Sequence, residues 1–207
     1  MATKNPKARY LMRKLPSQAR AAATVDAVIE AAARILIDSG YSDASTNAIA
    51  ERAGVGIGSV YEYFPGKEAI FAELRRREGL RHYESLVREP RPTTMQSMLR
   101  HLITTHVEYI RDNLALHVAL ETEVPRFAIE DAEKAVLDDY VPLSNAFLQL
   151  HKESLKPRQD IEFVTELLMR VVSSTVNDYA LRAPEQLNRP ELRDALIDLI
   201  GSYLLKD

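Results

Sequence analysis

Residues 45–68 read STNAIAERAGVGIGSVYEYFPGKE, and this stretch predicts two short helices joined by a tight turn. Ser45 is placed to cap the first helix, because its hydroxyl can accept a backbone N–H that the helix itself leaves unpaired. From Thr46 the chain carries Ile49, Ala50 and Ala53 at one-face spacing. Gly54 stands where a helix C-terminus calls for a residue that tolerates positive φ, and Val55 is the apolar plug behind it. The second helix is expected from about Ile57 to Phe64, with Val60 and Phe64 facing inward and Pro65-Gly66 stopping it. Two helices on so short a turn have the outline of a helix-turn-helix, whose second helix enters the major groove of DNA. An ordinary helical corner has the same outline, so the spacing alone leaves both readings open.

Upstream, Val25, Val28, Ile29, Ala32, Ile35 and Leu36 form an apolar ladder that predicts a long helix ending at Asp38-Ser39-Gly40, with Gly40 in the position past the cap. Packed across the helix pair, this ladder gives a three-helix core of Val28, Ile29, Ala32, Ile35, Leu36, Ile49, Ala50, Ala53, Val55, Val60 and Phe64. A fourth helix starts near Lys67, carries Ile70, Phe71, Leu74, Leu80 and Tyr83, and ends before Pro90. Arg75-Arg76-Arg77 within it reads as a solvated face. Further helices are expected at about 94–113, 114–123, 129–151, 161–181 and 191–205, with Pro142 kinking or dividing the third of these and 155–160 a connector. No β alternation appears. The expected architecture is all-α, with a basic flexible arm (1–20), a three-helix helix-turn-helix domain (21–81, the motif at about 45–64) and a helical bundle (82–207).

Composition narrows the function. The chain has 207 residues, 46% hydrophobic and 28% charged, as expected of a soluble globular protein. It contains no cysteine, which excludes disulfides, thiolate metal sites and cysteine nucleophiles. No apolar run approaches the roughly 18 residues of a membrane span, and the basic N-terminus lacks the apolar segment of a signal peptide, so the cytoplasm is the expected compartment. The net charge of −3 is unevenly spread. Lys4, Lys7, Arg9, Arg13, Lys14 and Arg20 precede any acidic residue. Through Glu89 the chain carries 14 basic and 11 acidic residues, and the remainder is net negative. A basic head on an acidic body fits an end that meets phosphates, although a solubilising tail would look the same.

The last two helices carry a wide apolar stripe: Leu167, Leu168, Val171 and Val172, then Leu196, Leu199, Ile200 and Tyr203. Burial within one chain and a two-fold, four-helix contact between subunits both account for it.

The run AVIEAAARILIDSGYSDASTNAIAERAGVGIGSVYEYFPGKEAIF, residues 27–71, resembles the DNA-binding domain of the TetR (tetracycline repressor) family. The likeness lies in pieces that follow in order at the family's spacing: the alanines of the first helix, Gly40-Tyr41, Ile49-Ala50, Ala53-Gly54-Val55, Gly58-Ser59-Val60-Tyr61, Tyr63-Phe64 and Lys67-Glu68. It implies a homodimeric transcription regulator, most often a repressor. Such a dimer binds double-stranded DNA at a palindromic operator, joins through its last two helices, and answers to a small-molecule effector held in the second domain. Carried over by position, the resemblance places DNA contacts at Ser45, Thr46, Asn47, Gly56, Ile57, Gly58, Ser59, Tyr61, Tyr63 and Lys67. Asn47 is the expected base reader, since an asparagine can pair bidentately with adenine. Gly56 departs from the usual serine-like cap at a cost of a few tenths of a kcal/mol, and Ile57 can only pack on a thymine methyl.

For the effector, the polar residues on apolar stretches of the second domain are the candidates: His106, Tyr109, His117, Glu121, Tyr140, Asn177 and Tyr179. Any one of them alone reads equally as a paired core group. No cofactor, metal site or catalytic residue is expected, because no paired-histidine metal motif, nucleophile elbow or phosphate-binding glycine loop occurs. A helical protein-interaction module without DNA binding is the first alternative, and an all-α enzyme the second.

Overall fold

The computed structural model describes residues 11–88, 92–156 and 160–206. Lys4, Lys7 and Arg9 of the basic arm, the break at Pro90 and the middle of the 155–160 connector lie outside these residues. Among the described residues the chain is all-α. The helices are α1 (Ala19–Asp43), α2 (Thr46–Ala53), α3 (Ile57–Tyr63), α4 (Lys67–Val87), α5 (Met95–Asp112), α6 (Leu114–Thr122), α7 (Arg126–Leu150), α8 (Ile161–Arg182) and α9 (Pro190–Leu204). Pro142 lies inside α7 without dividing it.

The chain forms two compact units. The first comprises the residues up to Gly79 together with Ala115–Val136; the second comprises Leu80–Leu114 and the residues from Leu137 onward. An expected division into 21–81 and 82–207 has no place for the returning piece. That piece is held by its own apolar residues: Leu120 and Ile129 are fully buried, and with Ala119, Val124 and Ala128 they join the core of α1–α4. Every residue expected in the three-helix core is in this cluster, with Ala53 and Val55 at its margin. Fully burying a side chain such as Leu36 or Phe71 contributes about 1.5–3 kcal/mol.

Gly40 is more tightly constrained than a helix-ending glycine usually is. Its φ of 82° and ψ of 172° fall in a region that essentially only glycine occupies. A Cβ there would collide with Oε2 of Glu123, just past the end of α6. The same oxygen accepts the backbone N–H of Tyr41 at 2.9 Å. The end of α1 and the returning segment are thus fitted to each other within the first unit.

Arg75, Arg76 and Arg77 do not form a solvated face. Arg75 donates to Glu121 at 2.7 Å and to Glu133 at 2.8 Å. Arg76 grips Glu73 with two bonds, and Arg77 joins Glu73 to Asp26. Burial opposes the charge of Glu73, but the hydrogen bonds from Arg76 and Arg77 outweigh it and hold the carboxyl below the ordinary carboxylate range. Glu121, Glu133 and Asp26 are remote in sequence, so their pairing leaves no local trace, whereas Glu73 lies one turn from Arg76 and Arg77 on the same helix.

In the second unit, Leu99, Ile103, Val107 and Ile110 of α5 pack with Val176 and Ala180 of α8 and with Leu196, Ile197 and Ile200 of α9. Local signals set the ends of these helices. Thr94 and Ser97 form a reciprocal capping box on α5, Asp160 accepts from two N–H groups at the start of α8, and Pro190 opens α9.

Candidate nucleic-acid interface

The helix pair is built as its sequence predicts. Ser45 Oγ accepts the Ala48 N–H at 3.1 Å. Gly54 is left-handed at φ 67°. Its N–H and that of Val55 return to the carbonyls of Glu51 and Ala50, a Schellman closure of α2. Val60 and Phe64, both fully buried, anchor α3. The outward side then carries Asn47, Gly56, Ile57, Gly58 and Tyr61, all exposed. A Cβ added at Gly56 or Gly58 would meet no protein atom within 4 Å. Internal packing therefore does not require glycine at either position, and the missing side chains leave the start of α3 open to an approaching surface.

Thr46 Oγ1 lies 3.1 Å from the Tyr61 hydroxyl. This contact puts the N-terminus of α2 beside α3 and presents two hydroxyls together. Such a group can donate to a phosphate oxygen, and the helix N-terminus adds favourable partial charge. Ser59 is half-buried.

Two expected contacts are placed differently. Tyr63 is only 7% exposed, and its ring belongs to the core. A seven-residue helix is marginal alone and depends on the side chains it buries, and position 63 falls on the buried side with Val60 and Phe64. Lys67 is occupied within the protein: Nζ donates to the Tyr41 carbonyl at 2.9 Å and sits 3.9 Å from the centre of the Tyr41 ring. It closes the end of α1 as a cationic cap.

Residues 12–14, counted in the sequence only as part of a charged arm, lie against α3. Arg13 bonds the carbonyls of Tyr61 and Tyr63, Lys14 pairs with Glu62, and Met12 packs on the core. Nothing in the spacing of the arm signals these contacts, because they depend on where α3 ends in space.

The effector candidates do not form one set. His117 and Glu121 belong to the first unit, and Glu121 is the ion-pair partner of Arg75. His106, Tyr109, Tyr140 and Asn177 belong to the second unit. There His106 Nδ1 lies 2.9 Å from Nε2 of His82, whose ring stacks on Tyr109 with centroids 4.7 Å apart. Tyr140 stacks on Tyr83, whose hydroxyl pKa is raised by burial. His82 and Tyr83 were not among the expected residues. Both lie on α4.

Comparison with known proteins agrees with this geometry. Residues 28–74 match the family described as bacterial regulatory proteins, tetR family. Residues 94–204 match the family described as the tetracyclin repressor-like C-terminal domain. The fatty acid metabolism regulator protein of Bacillus subtilis is 21% identical over 180 residues, covering 84% of this chain and 92% of that protein. Among solved structures, NalD, the secondary repressor of the MexAB-OprM multidrug efflux pump of Pseudomonas aeruginosa, superposes with a TM-score of 0.71 at 19% identity, covering 91% of this chain and 98% of that one. FadR of Bacillus subtilis in complex with stearoyl-CoA superposes with a TM-score of 0.66 at 18% identity, covering 86% and 98%. Among the described residues, no helix is long and apolar enough to cross a membrane.

Proposed function

The chain belongs to the TetR family of bacterial regulatory proteins, and on that premise we propose that it works as a homodimer in the cytoplasm, holding a palindromic operator with two copies of α3 and releasing it when a small molecule binds the second unit. It is a DNA-binding transcriptional regulator. The observation that carries the mode of binding is the outward side of α2 and α3: Asn47 exposed beside the Thr46–Tyr61 hydroxyl pair, and two glycines at the start of α3 with open space before them. Ser45, Thr46 and Tyr61 meet phosphate, Asn47 reads a base, and Ile57 packs on a methyl group. Tyr63 and Lys67 hold the motif together from within.

Dimerisation is supported by Phe163 on α8 and Leu199 on α9, 59% and 61% exposed on helices whose other faces form the core. A two-fold contact covers them and sets two recognition helices on half-sites about one helical turn, or a multiple of it, apart. The histidine and tyrosine cluster of the second unit supports an effector with both apolar and hydrogen-bonding groups. Stearoyl-CoA, the ligand of the Bacillus subtilis FadR complex, is a suitable first probe. Such a ligand acts only through its difference in affinity between the DNA-competent and released forms.

The test is fluorescence anisotropy of the full chain on a palindromic fragment from upstream of its own gene, at rising salt. Specific binding should weaken steeply with salt as counterions leave the phosphates. No binding even at low salt would favour the interaction-module reading. Asn47→Ala should cost about 1–3 kcal/mol of discrimination at one operator position; an unchanged ranking of operator variants removes Asn47 from the readout.

A further inference from the structure

The recognition helix lacks the means to finish its own ends. It has seven residues, no side-chain cap at Gly56 and no basic residue in its last turn. Its last carbonyls have no partner within the helix, as at every helix C-terminus. Arg13 supplies two of the missing donors. Its backbone N–H donates to the Tyr63 carbonyl at 2.7 Å, and its guanidinium Nη1 donates to the Tyr61 carbonyl at 2.9 Å. Beside it Lys14 pairs with Glu62 and lies 5.1 Å from the centre of the Tyr63 ring. A cation at this end also complements the negative pole of the helix.

We propose that Arg13 is a positioning residue for DNA recognition. It closes the C-terminal end of α3 and so holds Tyr61, and the Thr46–Tyr61 hydroxyl pair with it, in the pose that meets DNA. The proposal rests on the DNA-binding reading above. Its rival is the ordinary role of an arginine in a basic arm, a direct bond to phosphate. The two roles leave different traces. A phosphate contact, when removed, weakens all sequences alike and lowers the salt slope by about 1. A positioning residue, when removed, loosens α3 in the free protein, lowers operator affinity more than non-specific affinity and leaves the salt slope unchanged.

The experiment compares the full chain with Arg13→Ala and Arg13→Lys. Amide hydrogen exchange of α3 is followed without DNA, and anisotropy is measured on the operator and on a scrambled duplex at several salt concentrations. In Arg13→Ala, α3 amides should exchange faster, and operator affinity should fall about tenfold with a reduced operator-to-scrambled ratio. Arg13→Lys keeps the charge, but its ammonium sits one atom short of the Nη1 that reaches the Tyr61 carbonyl, so the ratio should stay below that of the parent. Unchanged α3 exchange overturns the proposal. So does uniform weakening with a shallower salt slope, or full recovery in Arg13→Lys. If the parent chain itself shows no preference for the operator, the DNA-binding reading fails instead, while the exchange experiment still reports on Arg13 and α3.

Discussion

Helices α2 and α3 are neighbours of nearly equal length, eight and seven residues, yet they are supported in opposite ways. Local sequence finishes α2 at both ends: Ser45 caps its start and Gly54 closes its end. Helix α3 is capped by a glycine with no side chain to offer, and Arg13, 48 positions earlier than Tyr61, bonds its last turn. Of the two, α3, the helix proposed to enter the DNA groove, is the one whose C-terminal end is completed from elsewhere in the chain. Helices of this length are marginal alone, so α2 draws on its caps and α3 on the core and the arm. Gly56 and Gly58 leave the tip of α3 bare of side chains, and Val60 and Phe64 behind it supply the burial that holds the helix.

This contrast can be broken at its strongest point by Phe64→Ala. Phe64 is fully buried at the end of α3, and removing its ring should cost about 3–5 kcal/mol, read as a lower midpoint in denaturant. A loss under 1 kcal/mol would mean that α3 stands on more than its core anchors. Gly54→Ala comes next. A Cβ there meets no neighbouring atom, so the cost is that of a left-handed backbone alone, about 1–2 kcal/mol. Ser45→Ala should cost about 1 kcal/mol by leaving the Ala48 N–H without its acceptor. The smallest effect is expected from Gly56→Ser. It gives α3 the cap it lacks and should stabilise by a few tenths of a kcal/mol, measurable as a slight rise in Tm. A larger gain would show that the missing cap, more than the missing core area, makes α3 dependent.

Much of the first unit was legible because its signals are local. The apolar ladder of α1, the cap at Ser45 and the glycine at 54 each act within a few residues, and all are found in place. The outward side of the helix pair was legible where exposure follows from local spacing, as at Asn47, Ile57 and Tyr61. It was not legible where a partner came from afar. Tyr63 and Lys67 have the right chemistry for phosphate, but one lies in the core and the other closes α1 through Tyr41. Glu121 has the right chemistry for an effector, but Arg75 holds it in the first unit.

By itself the sequence determined the all-α fold, the helix-turn-helix and its place in the chain. Helical periodicity, caps and turn glycines are short-range properties that residues carry with them. Only the tertiary structure decided that 115–136 returns to the first unit, that Arg75 and Arg77 are paired with acidic residues of other helices, and that Arg13 bonds the last turn of α3. Each of these is a meeting of groups far apart along the chain, and the burial or charge that makes it favourable exists only once the chain has brought them together.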